Sequence, residues 1–356
     1  MEYFSGSYES SDVRFLVTLI EPEVTDIKTK EANIRAGMHY SQMISPEYEP
    51  SQEYIDVFYK ALRLNKSRVA LDVLRLSHQI VRKAKPILIS LLRAGTPIGV
   101  LLKRTLKHHF DCNAPHYSIS IIRDLGIDEN ALNHIVAKHP DSELIFIDGW
   151  TGKGVIKREL DSFIAHYNQT YNQNLSSELY VLSDIAGVAD FSGGYDDYLI
   201  PSSALNSTVS GLVSRSILND RYITPEQFHG VKFYKEYQQS DFSRFYIDTI
   251  MQEISNIDTL QPLPVYKQNE QIAKQMQKYI ATLQKRFSIT NINYIKPGIG
   301  ETTRVLLRRD PYKILVRDSS DIYITHIIKL AHEKGIEIIE EPTLPYSTVG
   351  IIKDRE

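Results

Sequence analysis

The 356-residue sequence lacks features that are typical of disulfide-linked, membrane-spanning, secreted and strongly basic proteins. It has one cysteine, Cys112, so no disulfide can form within the chain, which favours a reducing compartment. Apolar runs such as Ile87–Leu92 are far too short to span a membrane, and the first residues lack the basic and apolar parts of a signal peptide. The formal net charge of −3 gives no overall basic field for nucleic acid or membranes. These absences predict a cytoplasmic protein without a membrane span.

The composition is otherwise ordinary, with 42% hydrophobic and 24% charged residues, and the length suggests about two domains. Short apolar strands alternate with amphipathic helices, which predicts an α/β fold with a mostly parallel sheet flanked by helices. The predicted strands are Pro86–Leu92, Tyr117–Ile122, Glu143–Ile147 and Glu178–Leu182. Because ligands of such sheets bind at the carboxyl ends of the strands, functional groups are expected after Leu92 and Ile147.

A change of pattern towards the end of the chain predicts a second domain. Segment 258–270 carries two prolines and no strong period, and a helical stretch follows it. Residues 289–356 then have a strand–helix–strand pattern of their own. We therefore predict a large domain over 1–257, a linker and helix over 258–288, and a small C-terminal α/β domain over 289–356.

The loop after the third predicted strand has the character of an anion site. Asp148 ends the strand, and a Thr-Gly-Lys-Gly turn runs from there into a helix. The glycines allow backbone N–H groups to approach an oxyanion, and the Thr151 hydroxyl and the helix N-terminus favour negative charge. The spacing is not that of a Walker A loop. The alternative is a plain tight turn between strand and helix, and we favour the phosphate site.

The loop after the first predicted strand is a second anion-competent element. Arg93, Ala94 and Gly95 follow the strand, and Thr96 begins a helix. Arg93 supplies charge and Gly95 permits close backbone approach. The alternative is an arginine that pairs with a carboxylate at the strand end. A third segment, Ser207–Ser216 with Arg215, is rich in hydroxyls and either holds a phosphate or caps a helix.

These loops resemble the PRPP-binding and pyrophosphate loops of type I phosphoribosyltransferases. Longer segments, HYSISIIRDLGID from His116 and LIPSSALNSTVSGLVSRSILN from Leu199, resemble the bacterial StiP family. That family belongs to tellurite-resistance and stress gene clusters and is described as phosphoribosyltransferase-like. The segments GIGETTRVLLRR from Gly298 and PYSTVGIIKD from Pro345 resemble the Pelota-type RNA-binding domain.

The resemblance implies that domain 1–257 is phosphoribosyltransferase-like and that domain 289–356 is Pelota-like. It further implies an enzyme that binds PRPP with Mg²⁺ and transfers or removes a phosphoribosyl group on a base-like or nucleoside-like acceptor, linked to tellurite or stress response. No residue is assigned as a direct metal ligand. Gly149 stands where type I enzymes usually have a second acid, which puts transferase activity in question.

The residues implied by that scheme fall into three groups. The catalytic residues would be Asp148, Arg93 and Arg123, and the acceptor pocket would contain Asp184, His116 and Tyr117. PRPP and its phosphates would be bound by Ser90, Ala94, Gly95, Thr96, Asp148, Gly149, Trp150, Thr151, Gly152, Lys153 and Gly154.

The Pelota resemblance implies RNA binding by a local basic patch. Residues 289–356 contain ten basic and ten acidic residues, so the domain has no net basic charge, and a solvated helix face is the alternative. The patch is formed by Lys296, Gly298, Gly300, Arg304, Arg308 and Arg309.

Two other functions stay open. One is a non-catalytic regulator that senses a nucleotide and binds RNA. The other is the cysteine protease that the family's name suggests. His108, His109 and His116 are near Cys112 in the sequence, but nearness along the chain does not position a base, and no protease signature surrounds the thiol. The sequence does not determine the acceptor, the direction of reaction, the RNA target or the role of Cys112. It also does not determine the oligomeric state, for which a homo-oligomer is one option.

Overall fold

The structure is a computed structural model that describes residues 3–257 and 263–353. Its helices are α1 (Ile27–Arg35), α2 (Gln52–Ile80), α3 (Gly95–Phe110), α4 (Glu129–Lys138), α5 (Val155–Tyr171), α6 (Ser243–Ser255), α7 (Glu270–Arg286), α8 (Ile299–Arg308) and α9 (Thr325–Glu333). Its strands are β1 (Arg14–Phe15), β2 (Thr18–Leu19), β3 (Pro86–Leu92), β4 (His116–Ile122), β5 (Gly126–Ile127), β6 (Glu143–Thr151), β7 (Leu179–Asp184), β8 (Phe191–Gly194), β9 (Gly230–Val231), β10 (Tyr266–Lys267), β11 (Ile295–Pro297), β12 (Pro311–Val316), β13 (Glu337–Glu340) and β14 (Thr348–Ile352).

The main sheet has the strand order β1-β4-β3-β6-β7-β8-β10, and β5 pairs with β4. The pairs from β1 to β8 are parallel, whereas β10 and β5 run antiparallel to their neighbours. The central strands are continuous apolar runs because both faces of the sheet are covered. Leu88 of β3 packs on the side of α2, α3 and α6, and Ile89 packs on the side of α4 and α5. The predicted mostly parallel sheet flanked by helices is confirmed.

A smaller α/β region follows, as predicted. Its sheet has the order β11-β14-β12-β13, in which β12 and β13 are parallel and the other pairs antiparallel. Ile280 and Leu283 of α7 pack on this sheet with Leu315 and Val349, because the apolar face of α7 has that core to cover. Ile299 of α8 joins the core of the larger part instead.

The exact division at 1–257, 258–288 and 289–356 stays a prediction, and residues 258–262 of the predicted linker lie outside the described residues. Within the described ranges, no helix is long and apolar enough to cross a membrane.

Candidate functional site

Part of the segment that was predicted as a loop after the third predicted strand belongs to the strand itself. Strand β6 continues through Asp148 to Thr151, because Trp150 and Thr151 pair with Ser183 and Asp184 of β7. One Asp148 carboxylate oxygen accepts a hydrogen bond from the Gly149 N–H at 2.8 Å. Burial raises the pKa of Asp148 to about 7, against the effects of that hydrogen bond and of the Arg304 charge. Asp148 is thus a carboxyl group that binds a proton near neutral pH.

Thr151 and Asp184 form a closed polar unit at the carboxyl ends of β6 and β7. The Thr151 hydroxyl donates to Asp184, which also accepts from the N–H groups of Val188 at 3.0 Å and Ala189 at 2.9 Å. In return, the Ala186 N–H donates to the Thr151 oxygen at 3.1 Å. Asp184 is fully buried, and its hydrogen bonds stabilise the turn that follows β7. This structural role accounts for the position of Asp184, which was predicted in the acceptor pocket.

The C-terminal region covers the turn at 152–154. Lys153 Nζ donates to the carbonyl oxygens of Ile292 at 2.6 Å and Ile295 at 3.0 Å. Burial, together with the nearby Lys296 charge, lowers the pKa of Lys153 to about 7. The Tyr346 hydroxyl donates to the Gly152 carbonyl oxygen at 3.4 Å. Gly154 has a φ of 70° immediately before α5, a conformation that favours glycine.

Further contacts join the two parts beside this turn. Asp197 accepts from the N–H groups of Ile299 at 2.8 Å and Ser347 at 3.0 Å. Arg304 donates to the Ser203 carbonyl oxygen at 3.2 Å, and its guanidinium carbon lies 4.9 Å from the ring centroid of Trp150. The pocket between the parts is narrow, about 10 Å³, which is room for roughly one water molecule. Its lining includes Trp150, Ser183, Asp197, Ser203, Gly298 and Glu301.

The loop after β3 lies against the carboxyl half of β6. A Cβ atom on Gly95 would lie 2.1 Å from the Ile147 carbonyl oxygen, so this close approach requires glycine. Arg93 Nη1 donates to both Glu47 carboxylate oxygens at 2.9 Å, and Arg93 Nη2 donates to Asn206 Oδ1 at 3.1 Å. Burial opposes ionisation of Glu47, but the Arg93 charge prevails and the pKa of Glu47 is lowered.

The other predicted site residues lie on β3 and β4, just after β4, or at the start of α3. Ser90 Oγ and His116 Nε2 are 2.6 Å apart and buried, and burial lowers the pKa of His116 to about 3. Tyr117 lies next to His116 at the amino end of β4, so neither residue reaches the loops at the carboxyl edge. Arg123 follows β4 at that carboxyl edge, where its guanidinium lies over the Tyr40 ring at 5.1 Å. The Thr96 and Ser118 hydroxyls are hydrogen-bonded at 2.8 Å.

Some residues of the predicted RNA patch lie where the C-terminal region contacts the larger part, and others lie at the surface. Arg304 and Arg308 donate to carbonyl oxygens of Ser203 and Ala204 in the larger part. Gly298 and Gly300 line the pocket between the two parts, and Lys296 Nζ lies 3.8 Å from Glu301. Arg309 is exposed. The patch as a whole stays a prediction.

Cys112 lies at the opposite edge of the sheet, in the connection between α3 and β4. Its N–H donates to the Leu106 carbonyl oxygen at 3.0 Å, and its side chain is half-buried. Lys103 Nζ donates to the Ala114 carbonyl oxygen at 2.9 Å. His108 and His109 occupy the last turn of α3, the turn that leads to Cys112.

His78 of α2 packs against the C-terminal end of α3. Its ring centroid is 4.9 Å from that of Phe110, and the charge of His78 is among those that act on His109. Burial lowers the pKa of both His78 and His109, so both rings are neutral at pH 7.

Comparison with known proteins bears on the functions that the sequence left open. Residues 6–251 match the family described as tellurite-like stress resistance cysteine protease StiP. The chain belongs to the StiP family. A relative from Acinetobacter baylyi (strain ATCC 33305 / BD413 / ADP1), named cysteine protease StiP, is 38% identical over 367 residues, which cover 98% of this chain and 94% of the relative. Residues 274–354 of this StiP-family chain match the PELOTA RNA binding domain.

The expectation of a phosphoribosyltransferase is therefore wrong, because both the family and the relative are named as cysteine proteases, which are hydrolases. The structure gives a physical reason for the error. Arg93, Thr151 and Lys153 were expected to bind phosphates, but each donates to a group of the chain itself. A glycine-rich turn with such donors can either stabilise a β–α connection through contacts within the chain or bind an anion. The sequence alone does not distinguish these two roles.

The Mg²⁺ expected together with PRPP is a part of that scheme which nothing here tests. In the described ranges, no group of three or more His, Cys, Asp or Glu side chains could hold a metal ion. For the activity in the family's name, the residue that sequence reasoning undervalued is Cys112. The signal that could have found it was elimination, since a thiol enzyme with one cysteine has one candidate nucleophile.

Proposed function

We propose that this chain is a cysteine-dependent peptidase and that Cys112 supplies its nucleophilic thiol. One observation carries the proposal: Cys112 is the only cysteine, so thiol catalysis by this chain must use it. The relative named cysteine protease StiP is similar over nearly the whole chain, which supports the same function here. A catalytic thiol must stay reduced, in agreement with the predicted cytoplasmic location.

The surroundings of Cys112 support this role. The thiolate is the reactive form of cysteine, and a cation beside the sulfur favours it. Lys103 is such a cation, since the hydrogen bond to Ala114 fixes its ammonium close to the segment that carries the thiol. Burial lowers the pKa of Lys103, and the charge of Cys112 acts in the opposite direction. The Cys112 residue is half-buried rather than fully enclosed, which a catalytic thiol requires.

The candidate general bases are His109 and His78. A neutral imidazole can accept the thiol proton, and burial favours the neutral form of both rings. The thiolate would then attack a peptide carbonyl carbon, the amine would leave with a proton from the imidazolium, and water would hydrolyse the acyl-enzyme. The hydrogen bond between sulfur and imidazole would form on substrate binding, since catalytic contacts often tighten only in the complex.

The function is tested with the full chain in reducing buffer and fluorescently labelled casein as substrate. We expect hydrolysis that stops when iodoacetamide has alkylated one thiol per chain, with the label mapped to Cys112 by mass spectrometry. A metal chelator serves as the control and should leave the rate unchanged. Hydrolysis that continues after complete alkylation, or no hydrolysis of casein or of a mixed peptide library, would contradict the proposal.

We further propose that residues 274–354 bind RNA. The match to the PELOTA RNA binding domain supports this, and so does an exposed aromatic side chain among cations. The Tyr312 side chain is 43% exposed, and Lys313 Nζ lies 5.2 Å from the centroid of its ring. Unpaired bases stack on such rings while neighbouring cations neutralise the phosphates. Arg309 is exposed and close to Tyr312 in the sequence.

Tyr312→Ala should weaken binding of a fluorescent single-stranded RNA about tenfold, equivalent to about 1.4 kcal/mol, as measured by fluorescence anisotropy of the full chain. Arg309→Gln should reduce the dependence of affinity on salt by about one counterion. Ile322→Ala is the matched control, since Ile322 is also exposed, at 59%, and offers no stacking ring. RNA affinity that is unchanged in both Tyr312 and Arg309 variants would contradict the predicted contacts.

A further inference from the structure

A cavity of about 310 Å³ lies between the C-terminal end of α2 and the segment that leads into β10. We name it the α2 pocket; its lining consists of Arg75, His78, Gln79, Arg82 and segment 263–265. We propose that the α2 pocket binds an acidic side chain of a peptide substrate, with the carboxylate on Arg82. This inference rests on the proposed peptidase function and names the class of peptide that the enzyme prefers.

The α2 pocket lies beside the groups proposed for catalysis. His78, one of the two candidate bases, lines it, and the His78 ring centroid is 4.9 Å from that of Phe110. Phe110 ends α3 two residues before Cys112. Helix α2 ends at Ile80, shortly before β3 begins, so the pocket lies at the amino edge of the main sheet, the edge that also carries Cys112. A peptide with one side chain in the pocket would therefore lie along the edge that carries the thiol.

Two polar side chains of the pocket are available to a ligand. Arg82 is exposed and Gln79 is half-buried, and neither side chain has a hydrogen bond or an ion pair to a residue that the structure describes. Arg75, by contrast, donates to Asp72 at 3.0 Å and to the Gly193 carbonyl oxygen at 2.9 Å. The chain itself thus satisfies Arg75, whereas Arg82 offers its charge and Gln79 its amide group.

The opposite wall of the pocket is apolar and anchored. Leu263 and Val265 pack against the core of the larger part. The next residue, Tyr266, pairs with Ser192 of β8, and the guanidinium carbon of Arg75 lies 5.4 Å from the centroid of its ring. These contacts fix the wall relative to α2, so the pocket is formed before a ligand enters.

The free guanidinium and the apolar wall together define the ligand class. A guanidinium binds a carboxylate through two parallel N–H donors, and the methylene groups of a glutamate side chain suit an apolar wall. None of the described lining residues is acidic, so the lining holds no competing carboxylate. A volume of about 310 Å³ is small for a ligand site and suits one side chain better than a polymer such as RNA.

A carboxylate bound at Arg82 would also act on the candidate base. Burial lowers the pKa of His78, and the charge of Arg82 lowers it further. A carboxylate on the guanidinium would offset that charge and so increase the affinity of the imidazole for the thiol proton. The pocket would thereby connect recognition of an acidic side chain with activation of the nucleophile.

Fluorescence anisotropy with the full chain carrying Cys112→Ser tests the pocket, because this variant leaves the probe intact. The probes are a short labelled peptide with glutamate at alternate positions and its glutamine counterpart, both amidated so that no C-terminal carboxylate is present. We expect the glutamate peptide to bind at least about fivefold more tightly, and Arg82→Gln to remove this difference without a change in the thermal midpoint.

Arg63→Gln is the matched control, since Arg63 is also an exposed arginine of α2 without an ion pair among the described residues. It should retain the preference for the glutamate peptide. Equal binding of the two peptides, no binding of either, or a preference that persists in Arg82→Gln would overturn the proposal. A single-stranded RNA that displaces the peptide and binds Arg82→Gln more weakly would assign the pocket to RNA and overturn it as well.

The binding assay needs no thiol chemistry, so its outcome is separate from that of the casein assay. Arg82-dependent binding of the glutamate peptide by a chain that hydrolyses nothing would support the pocket and contradict the peptidase. Casein hydrolysis by a chain without any Arg82-dependent preference would support the peptidase and overturn the pocket.

Discussion

Substitution of Cys112 by serine is expected to lower the rate of peptide hydrolysis at least about a thousandfold, to the background of the assay. A serine hydroxyl is a far weaker nucleophile than a thiolate, and a base arranged for a thiol does not activate it to the same extent. The chain has no second cysteine that could replace the thiol. Rates are measured with labelled casein at equal concentrations of folded protein, checked by thermal unfolding. The side chain is half-buried, so the exchange of sulfur for oxygen should change stability little.

Asp148→Asn is the variant that separates the two chemistries considered for this chain. Asp148 lies at the carboxyl edge of the main sheet, whereas Cys112 precedes β4 at the amino edge. A thiol peptidase at Cys112 should therefore keep its rate within about twofold in Asp148→Asn. Full hydrolysis by Cys112→Ser, or a loss in Asp148→Asn as large as that in Cys112→Ser, would contradict the assignment of the nucleophile.

The architecture could be predicted because it depends on local patterns. PILISLL is a continuous apolar run between polar segments, which is how a strand buried on both faces appears in a sequence, and it forms β3 with the expected bounds, Pro86–Leu92. A helix was predicted after segment 258–270, and helix α7 lies there and packs on the second sheet through Ile280 and Leu283. The extension of β6 to Thr151 was missed, because it depends on pairing with β7 more than thirty residues later.

The site could not be predicted in the same way, because its character depends on partners far away in the sequence. The sequence suggested that Arg93 and Lys153 bind phosphate. In the structure Arg93 donates to Glu47, and Lys153 donates to the carbonyl oxygens of Ile292 and Ile295. The alternative stated for Arg93, pairing with a carboxylate, describes its main contact. Sequence patterns indicate which groups can bind an anion, but only the fold shows which of them the chain itself already satisfies.

Asp148→Asn should also make the protein more stable above pH 8, and the direction follows from the buried carboxyl group. Burial raises the native pKa of Asp148 to about 7, above its value of about 4 in an unfolded chain. Between these values the native state keeps the proton and the unfolded state releases it, so the free energy of unfolding falls as the pH rises through this window. Asparagine carries no charge to bury, and its side-chain oxygen can still accept from the Gly149 N–H.

The gain in the free energy of unfolding should be close to zero at pH 4 and reach at most about 4 kcal/mol above pH 8, at about 1.4 kcal/mol per unit of pKa shift. Partial exposure of the side chain makes this an upper bound. Urea unfolding of both proteins at pH 4.5 and 8.5, followed by the fluorescence of the single tryptophan, Trp150, measures the difference, and Asp220→Asn is the exposed control. Other buried acids titrate equally in both proteins and cancel. Equal stability at pH 8.5 would mean that Arg304 and the Gly149 N–H offset the cost of burying the charge.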